Sequence, residues 1–188
     1  MDNDVSAGST ATTSTLGHLA LGLTLLAFGI GHTGIISGVS AADSVSLALY
    51  IGGLALFVCG ILEFRGGNGF NGTAFAGLGA FWFTWASGAG DKVSAHAGGT
   101  FLVLFALLAL SLAVGAASGP FGQGLYGLLC LSLVLLAISA FAGSGSLAKV
   151  AGWVAAVAGL LGWYAATAAL AKWPMAVGRR SRGAVPAS

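Results

Sequence analysis

His18, Leu21, Leu25, Phe28 and His32 recur at i, i+3, i+7, i+10 and i+14, so a helix would carry all five on one face. Imidazole titrates near neutrality and can pass a proton. Between the two histidines the face is apolar. Ionisable ends around an apolar middle are the profile of a hydrophobic gate between two wet vestibules. Phe75, Leu78, Trp82 and Trp85 form a comparable stripe further along, for which ordinary helix packing is the alternative. His18 stands equally well as a pore-lining residue or as an interfacial anchor.

A second constellation is the stretch ILEFRGGNGFNGT, residues 61 to 73, where two charges and a cluster of Gly and Asn separate two apolar runs. Glycine permits tight, positive-φ turns, and Asn68 and Asn71 can hydrogen-bond nearby backbone groups. Asn71 or Thr73 is placed to cap the helix that follows. A helix N-terminus opening into a vestibule offers free N–H donors and about half a positive charge, which suits a carboxylate. The competing account is a capped interfacial turn, with Glu63 and Arg65 as a surface pair.

Catalytic chemistry is not supported. His18 and His32 would lie about 20 Å apart along one helix, and neither has an obvious Asp, Glu or Cys partner. Cys59 and Cys130 show neither a disulfide framework nor metal-ligand spacing. With no nucleotide-binding loop or redox site, the expectation is a protein that is not an enzyme, with no cofactor, metal or nucleic-acid partner.

The elements that would position these residues are transmembrane helices. Charged residues make up 6% of the 188-residue chain and hydrophobic ones 57%, against about 25% charged in a soluble domain. A bilayer crossing takes about 20 apolar residues as a helix. Six blocks approach that length: Leu16–Ser37, Val45–Phe64, Thr73–Gly88, Gly99–Ser118, Gln123–Ala142 and Leu147–Ala171. The third is short and needs some bilayer adjustment to span. Expected, then, is an all-α integral membrane protein: a disordered tail over 1–15, a six-helix domain over 16–172 and a basic tail over 173–188. Five of the seven Lys and Arg (Arg65, Lys172, Arg179, Arg180, Arg182) fall on the side shared by both tails, against Lys92 and Lys149. The positive-inside bias then puts both termini in the cytoplasm of a bacterial-type plasma (inner) membrane. Small residues, including Gly115 with Gly119 and Ala155 with Gly159, suit close helix contacts.

One series is specific. Gly52-Gly53, then Gly60-Ile-Leu-Glu63-Phe64, Gly67-Asn68, Phe70, Thr73-Ala74-Phe75, Gly79, Phe81-Trp82 and Thr84 resembles the acetate uptake transporter family, the succinate–acetate permeases. Leu16-Gly17, Gly22, Thr24 and Gly34 fit its first helix, and Ala151-Gly152-Trp153 with Tyr164 its sixth. The departures matter as much. Thr12-Thr13-Ser14-Thr15 stands where the family has Asn-Pro-Ala-Pro. Where the family narrows its pore with a Phe, a Tyr and a Leu, this sequence has Leu21, Leu78 and Leu129, with no phenol to hydrogen-bond a passing anion.

The resemblance implies a permease or channel for acetate and related small monocarboxylates, with one pore per protomer and a hexameric ring; imidazole chemistry leaves proton coupling through His18 or His32 and channel-like passage of the anion equally open. The resemblance also implies a constriction at Leu21, Leu78 and Leu129. The path and its vestibules would take in His18, Thr24, Phe28, His32, Asn68, Thr73, Phe75, Trp82 and Thr84, and Glu63, Arg65 and Asn71 would shape the turn. The all-leucine narrowing keeps a second reading open: a pathway for small neutral solutes such as ammonia, carbon dioxide or protonated acetic acid.

Overall fold

The structure is a computed structural model and describes residues 2–44, 47–89, 93–116 and 120–173. All the secondary structure among them is helical: α1 (Asp2–Thr33), α2 (Ala48–Arg65), α3 (Gly69–Thr84), α4 (Ala95–Gly115), α5 (Pro120–Ala142) and α6 (Gly145–Leu170). Five of these are long and apolar enough to cross a membrane, α1 by its portion Ala11–Thr33. The exception is α3, whose 16 residues reach only about 24 Å. A wider π-helical turn, Trp85–Ala89, extends it and breaks at Gly88, where φ is 146°.

Residues 2–15 correct the expected tail: they are helical and continue without a break into the first span. No proline interrupts residues 1–33, and the Thr15 hydroxyl donates back to the Ala11 carbonyl at 2.9 Å, which lets a hydroxyl sit on a helix without competing for it. Of the basic tail, only Trp173 lies among the described residues; Lys92 and Gly119 fall outside them.

Two joints follow from short-range chemistry. α2 ends in a Schellman motif: Asn68 N donates to Glu63 O at 2.9 Å and Gly67 N to Phe64 O at 3.0 Å, with Gly67 at φ 80°. Asn68 then starts α3, its side chain accepting from Asn71 N at 3.2 Å. The cap is therefore Asn68, three residues before Asn71 and five before Thr73, because the glycine at Gly67 lets the turn close there. Ser94 and Ser144 cap α4 and α6 in the same way.

Each helix packs on its chain neighbours and α6 returns to α1, which closes a ring. The α1–α6 seam is the most extensive contact and is made by glycine. A Cβ on Gly22 would fall 2.5 Å from the Trp163 nitrogen, one on Gly29 2.6 Å from the Ala156 nitrogen, and one on Gly159 2.8 Å from the Gly22 carbonyl. Backbone meets backbone there, so no rotamer change can relieve an added side chain. Gly29→Val is expected to destabilise the bundle by about 3 kcal/mol, read as a lower melting temperature in detergent. Gly115 makes no such approach, since a Cβ there meets only the Phe70 ring at 3.5 Å.

Inside the ring sits one apolar cluster to which α1 gives Leu21, Leu25 and Phe28, α3 gives Phe75, Leu78 and Trp82, and α5 gives Tyr126, Leu129 and Leu133. Outside, Leu54, Phe57, Leu104, Val114, Trp153 and Leu170 are exposed, the side-chain chemistry of a lipid-facing surface.

Candidate functional site

The α1 stripe predicted from spacing does face inward. Leu21 and Leu25 are 0% exposed and Phe28 3%, while His18 and His32 at its ends are half-buried. Two ring contacts fix the register of α1 against α3. His18 meets Phe75 edge-on at 5.0 Å, and Phe28 meets Trp82 edge-on at 5.0 Å. Leu21 and Leu78 each lie three residues beyond the first pair, so they share a depth. On α5, Leu125 lines the same cavity as His18 and Leu129 follows one turn later. Leu78 is 0% and Leu129 1% exposed. The three leucines are thus buried in the same apolar cluster, each from a different helix.

On the side of the α2–α3 turn, polar groups gather. Ser14 Oγ donates to Glu63 Oε1 at 2.7 Å, and Asn71 Nδ2 donates to Ser14 Oγ at 3.0 Å. His18 Nδ1 lies 2.8 Å from the Ser14 carbonyl. A carbonyl only accepts, so this bond places the proton on Nδ1 and leaves Nε2 as the free acceptor. Beside these groups a cavity of about 240 Å³ opens, lined by Ser14, Thr15, His18, Phe121, Leu125 and Leu161 among others. Glu63 is 0% exposed, whereas Arg65 lies on the exposed side. This corrects the surface pair: residues two apart on a helix do not face each other. Glu63 holds the turn through its backbone carbonyl and holds α1 through its carboxylate.

Beyond the leucines the lining is aromatic. His32 Nδ1 bonds the Phe28 carbonyl at 2.9 Å, and its ring lies 4.2 Å from that of Phe28. Trp82 is 1% exposed, and its Nε1 meets no acceptor among the described residues. Thr24 is buried and spends its proton on the Ala20 carbonyl at 2.8 Å.

Along α1 and α3, then, a polar cluster, buried leucines and an aromatic cluster follow one another inside a ring of apolar helices. Residues 3–176 match the GPR1/FUN34/yaaH family. The chain belongs to that family. A succinate-acetate/proton symporter, SatP, of Escherichia coli K12 is 30% identical over 159 residues, 79% of this chain and 82% of the relative. The Shigella flexneri symporter of that name matches to the same extent. Among solved structures, the bacterial acetate channel SatP superposes with a TM-score of 0.77 at 26% identity, covering 86% of this chain and 92% of the other. Membership of the GPR1/FUN34/yaaH family and five apolar helices make this a multi-pass membrane protein.

Two positions that the resemblance placed on the path lie elsewhere in this family member. Thr73 and Thr84 are exposed, and Thr73 donates to the Gly69 carbonyl at 2.8 Å. Eleven residues apart, they share one face of α3, opposite Trp82, because each residue turns the helix by about 100°. Thr84 lines an outward groove of about 290 Å³ with Leu54, Phe57 and Phe83. Sequence reasoning also missed three residues. Ser14 bridges to Glu63 and Asn71, and Ser132 ties α5 to α6 through the Ala151 carbonyl at 2.9 Å. Tyr126 puts a buried phenol in the core after all; its spacing of three from Leu129 was the available signal.

Proposed function

We propose that this chain carries acetate and related small monocarboxylates across the membrane, with Leu21, Leu78 and Leu129 as the constriction of its path. What supports the reading most is that buried Leu21 and Leu78 fall, along α1 and α3, between Ser14 and His18 (with Glu63 bonded to Ser14) and Phe28, His32 and Trp82, with buried Leu129 in the same apolar cluster. The names of the relatives, a succinate-acetate/proton symporter and an acetate channel, support it. In this reading α3 with its π-helical extension completes a six-span bundle. Both termini are cytoplasmic, the cavity beside His18 is the cytoplasmic vestibule, and six copies form a ring with one pore in each. Protons can ride on the free Nε2 of His18 or His32.

Uptake of labelled acetate by proteoliposomes tests this, with formate, lactate, succinate, bicarbonate and ammonium as competitors. Absence of uptake, or competition by ammonium alone, would sink it. Asn68→Ala is expected to cut acetate flux several-fold and to lower stability by about 1 kcal/mol through loss of the α3 cap. Unchanged flux would leave Asn68 a purely structural residue.

The leucine level itself favours a second reading, a path for neutral solutes such as ammonia or protonated acetic acid. A charge near mid-membrane costs at least about 2.5 kcal/mol unless paired or solvated. Initial flux measured across a pH series separates the two: passage of the neutral acid falls tenfold per pH unit above its pKa, and passage of the anion does not.

A further inference from the structure

A buried tyrosine whose hydroxyl bonds nothing is an expensive substitute for phenylalanine. Tyr126 is 0% exposed, its ring meets that of Phe70 edge-on at 5.9 Å, and its Oη finds no hydrogen-bond partner among the described residues. A buried polar group left unpaired disfavours the fold, and natural cores contain few. Phenylalanine would fill nearly the same volume at no such cost. Only two other buried side-chain atoms among the described residues share this condition, Glu63 Oε2 and Trp82 Nε1.

Their placement along the bundle is ordered. Tyr126 precedes Leu129 by three residues and Trp82 follows Leu78 by four. α3 starts at the turn that carries Glu63, and the Phe70 ring at its beginning meets Tyr126, so the phenol lies on the turn side of the leucine level. Trp82, one turn beyond Leu78 and against Phe28, lies on the far side. The apolar level is therefore bracketed by two groups, each with an O–H or N–H to donate.

We propose that Tyr126 is a specificity-determining donor of this path, its Oη–H bonding the carboxylate of a small monocarboxylate as it leaves water for the leucine level, with Trp82 Nε1–H receiving it beyond. The proposal rests on the monocarboxylate reading and deepens it. A carboxylate approaching an apolar constriction loses water that only a donor can replace, and a donor with no competing protein acceptor is free to do so. Ammonia needs no anion donor, so the two solutes should respond differently to loss of this hydroxyl.

The test is Tyr126→Phe beside the wild type, reconstituted in vesicles, with acetate and ammonia fluxes measured separately and the melting temperature taken in detergent. The expected result is an acetate flux lower by about tenfold or more, as for loss of a hydrogen bond to a charged group. Ammonia flux should hold, and the melting temperature should stay or rise. Trp82→Phe should lower acetate flux in the same sense. Wild-type acetate flux in Tyr126→Phe overturns the proposal and leaves the monocarboxylate reading intact. A drop in melting temperature with loss of folded protein also overturns it, since the hydroxyl would then be supporting the fold. A wild-type protein that carries ammonia and no acetate removes the monocarboxylate reading, and this proposal with it.

Discussion

Glu63→Ala is expected to destabilise the folded protein by about 3 kcal/mol or more, whereas Glu63→Gln should keep most of its stability and flux. The carboxylate is fully buried and accepts the Ser14 hydroxyl at 2.7 Å, and that hydroxyl in turn accepts from Asn71. Truncation leaves a cavity and strands the Ser14 proton. Losing a hydrogen bond to a charged acceptor costs about 1.5–3 kcal/mol, and an unfilled core cavity adds to that. Glutamine keeps a carbonyl oxygen for Ser14 and nearly the same volume. Ser14→Ala should fall between the two. Thermal melts in detergent and the yield of folded protein report the order. If Glu63→Gln loses as much as Glu63→Ala, the charge itself is required and a holding role is insufficient.

That cluster also shows where sequence reading reaches and where it stops. Apart from the start of α1, which lies fourteen residues before Leu16, apolar blocks place the helix ends to within about four residues, because a bilayer demands length and hydrophobicity that composition displays directly. The inward stripe from His18 to His32 was legible for a similar reason: helical period follows from spacing. Ser14 was not, since its partner lies 49 residues away and nothing local distinguishes one hydroxyl in Thr12-Thr13-Ser14-Thr15 from the next. Thr73 and Thr84 were placed on the path by resemblance, although their position on the helix, opposite Trp82, already argued against it. The turn was read correctly as a glycine-dependent joint. The choice of Asn68 over Asn71 as cap depended on a Schellman closure that several glycines could have served.

Leu78→Ala is expected to admit larger monocarboxylates, lactate among them, at a stability cost smaller than an ordinary core truncation carries. Leu78 is 0% exposed and belongs to the same buried cluster as Leu21 and Leu129. A Leu→Ala change in a dry core costs about 2.7–5 kcal/mol, growing with the cavity left behind. At a constriction between two wet vestibules the new space joins the water path, so the lining is solvated and the cavity part of that cost shrinks. Selectivity should relax without switching, since a single methylene in an apolar pocket discriminates by about 1–3 kcal/mol. Leu78→Tyr probes the same position from the polar side: it should raise acetate flux relative to ammonia if the anion is carried, and slow both if neutral solutes are. Ordinary packing predicts the opposite pair of results for Leu78→Ala, a full loss of about 3 kcal/mol or more with selectivity unchanged. Melting temperature and the lactate-to-acetate flux ratio, measured on the same preparation, decide between a gate and a core.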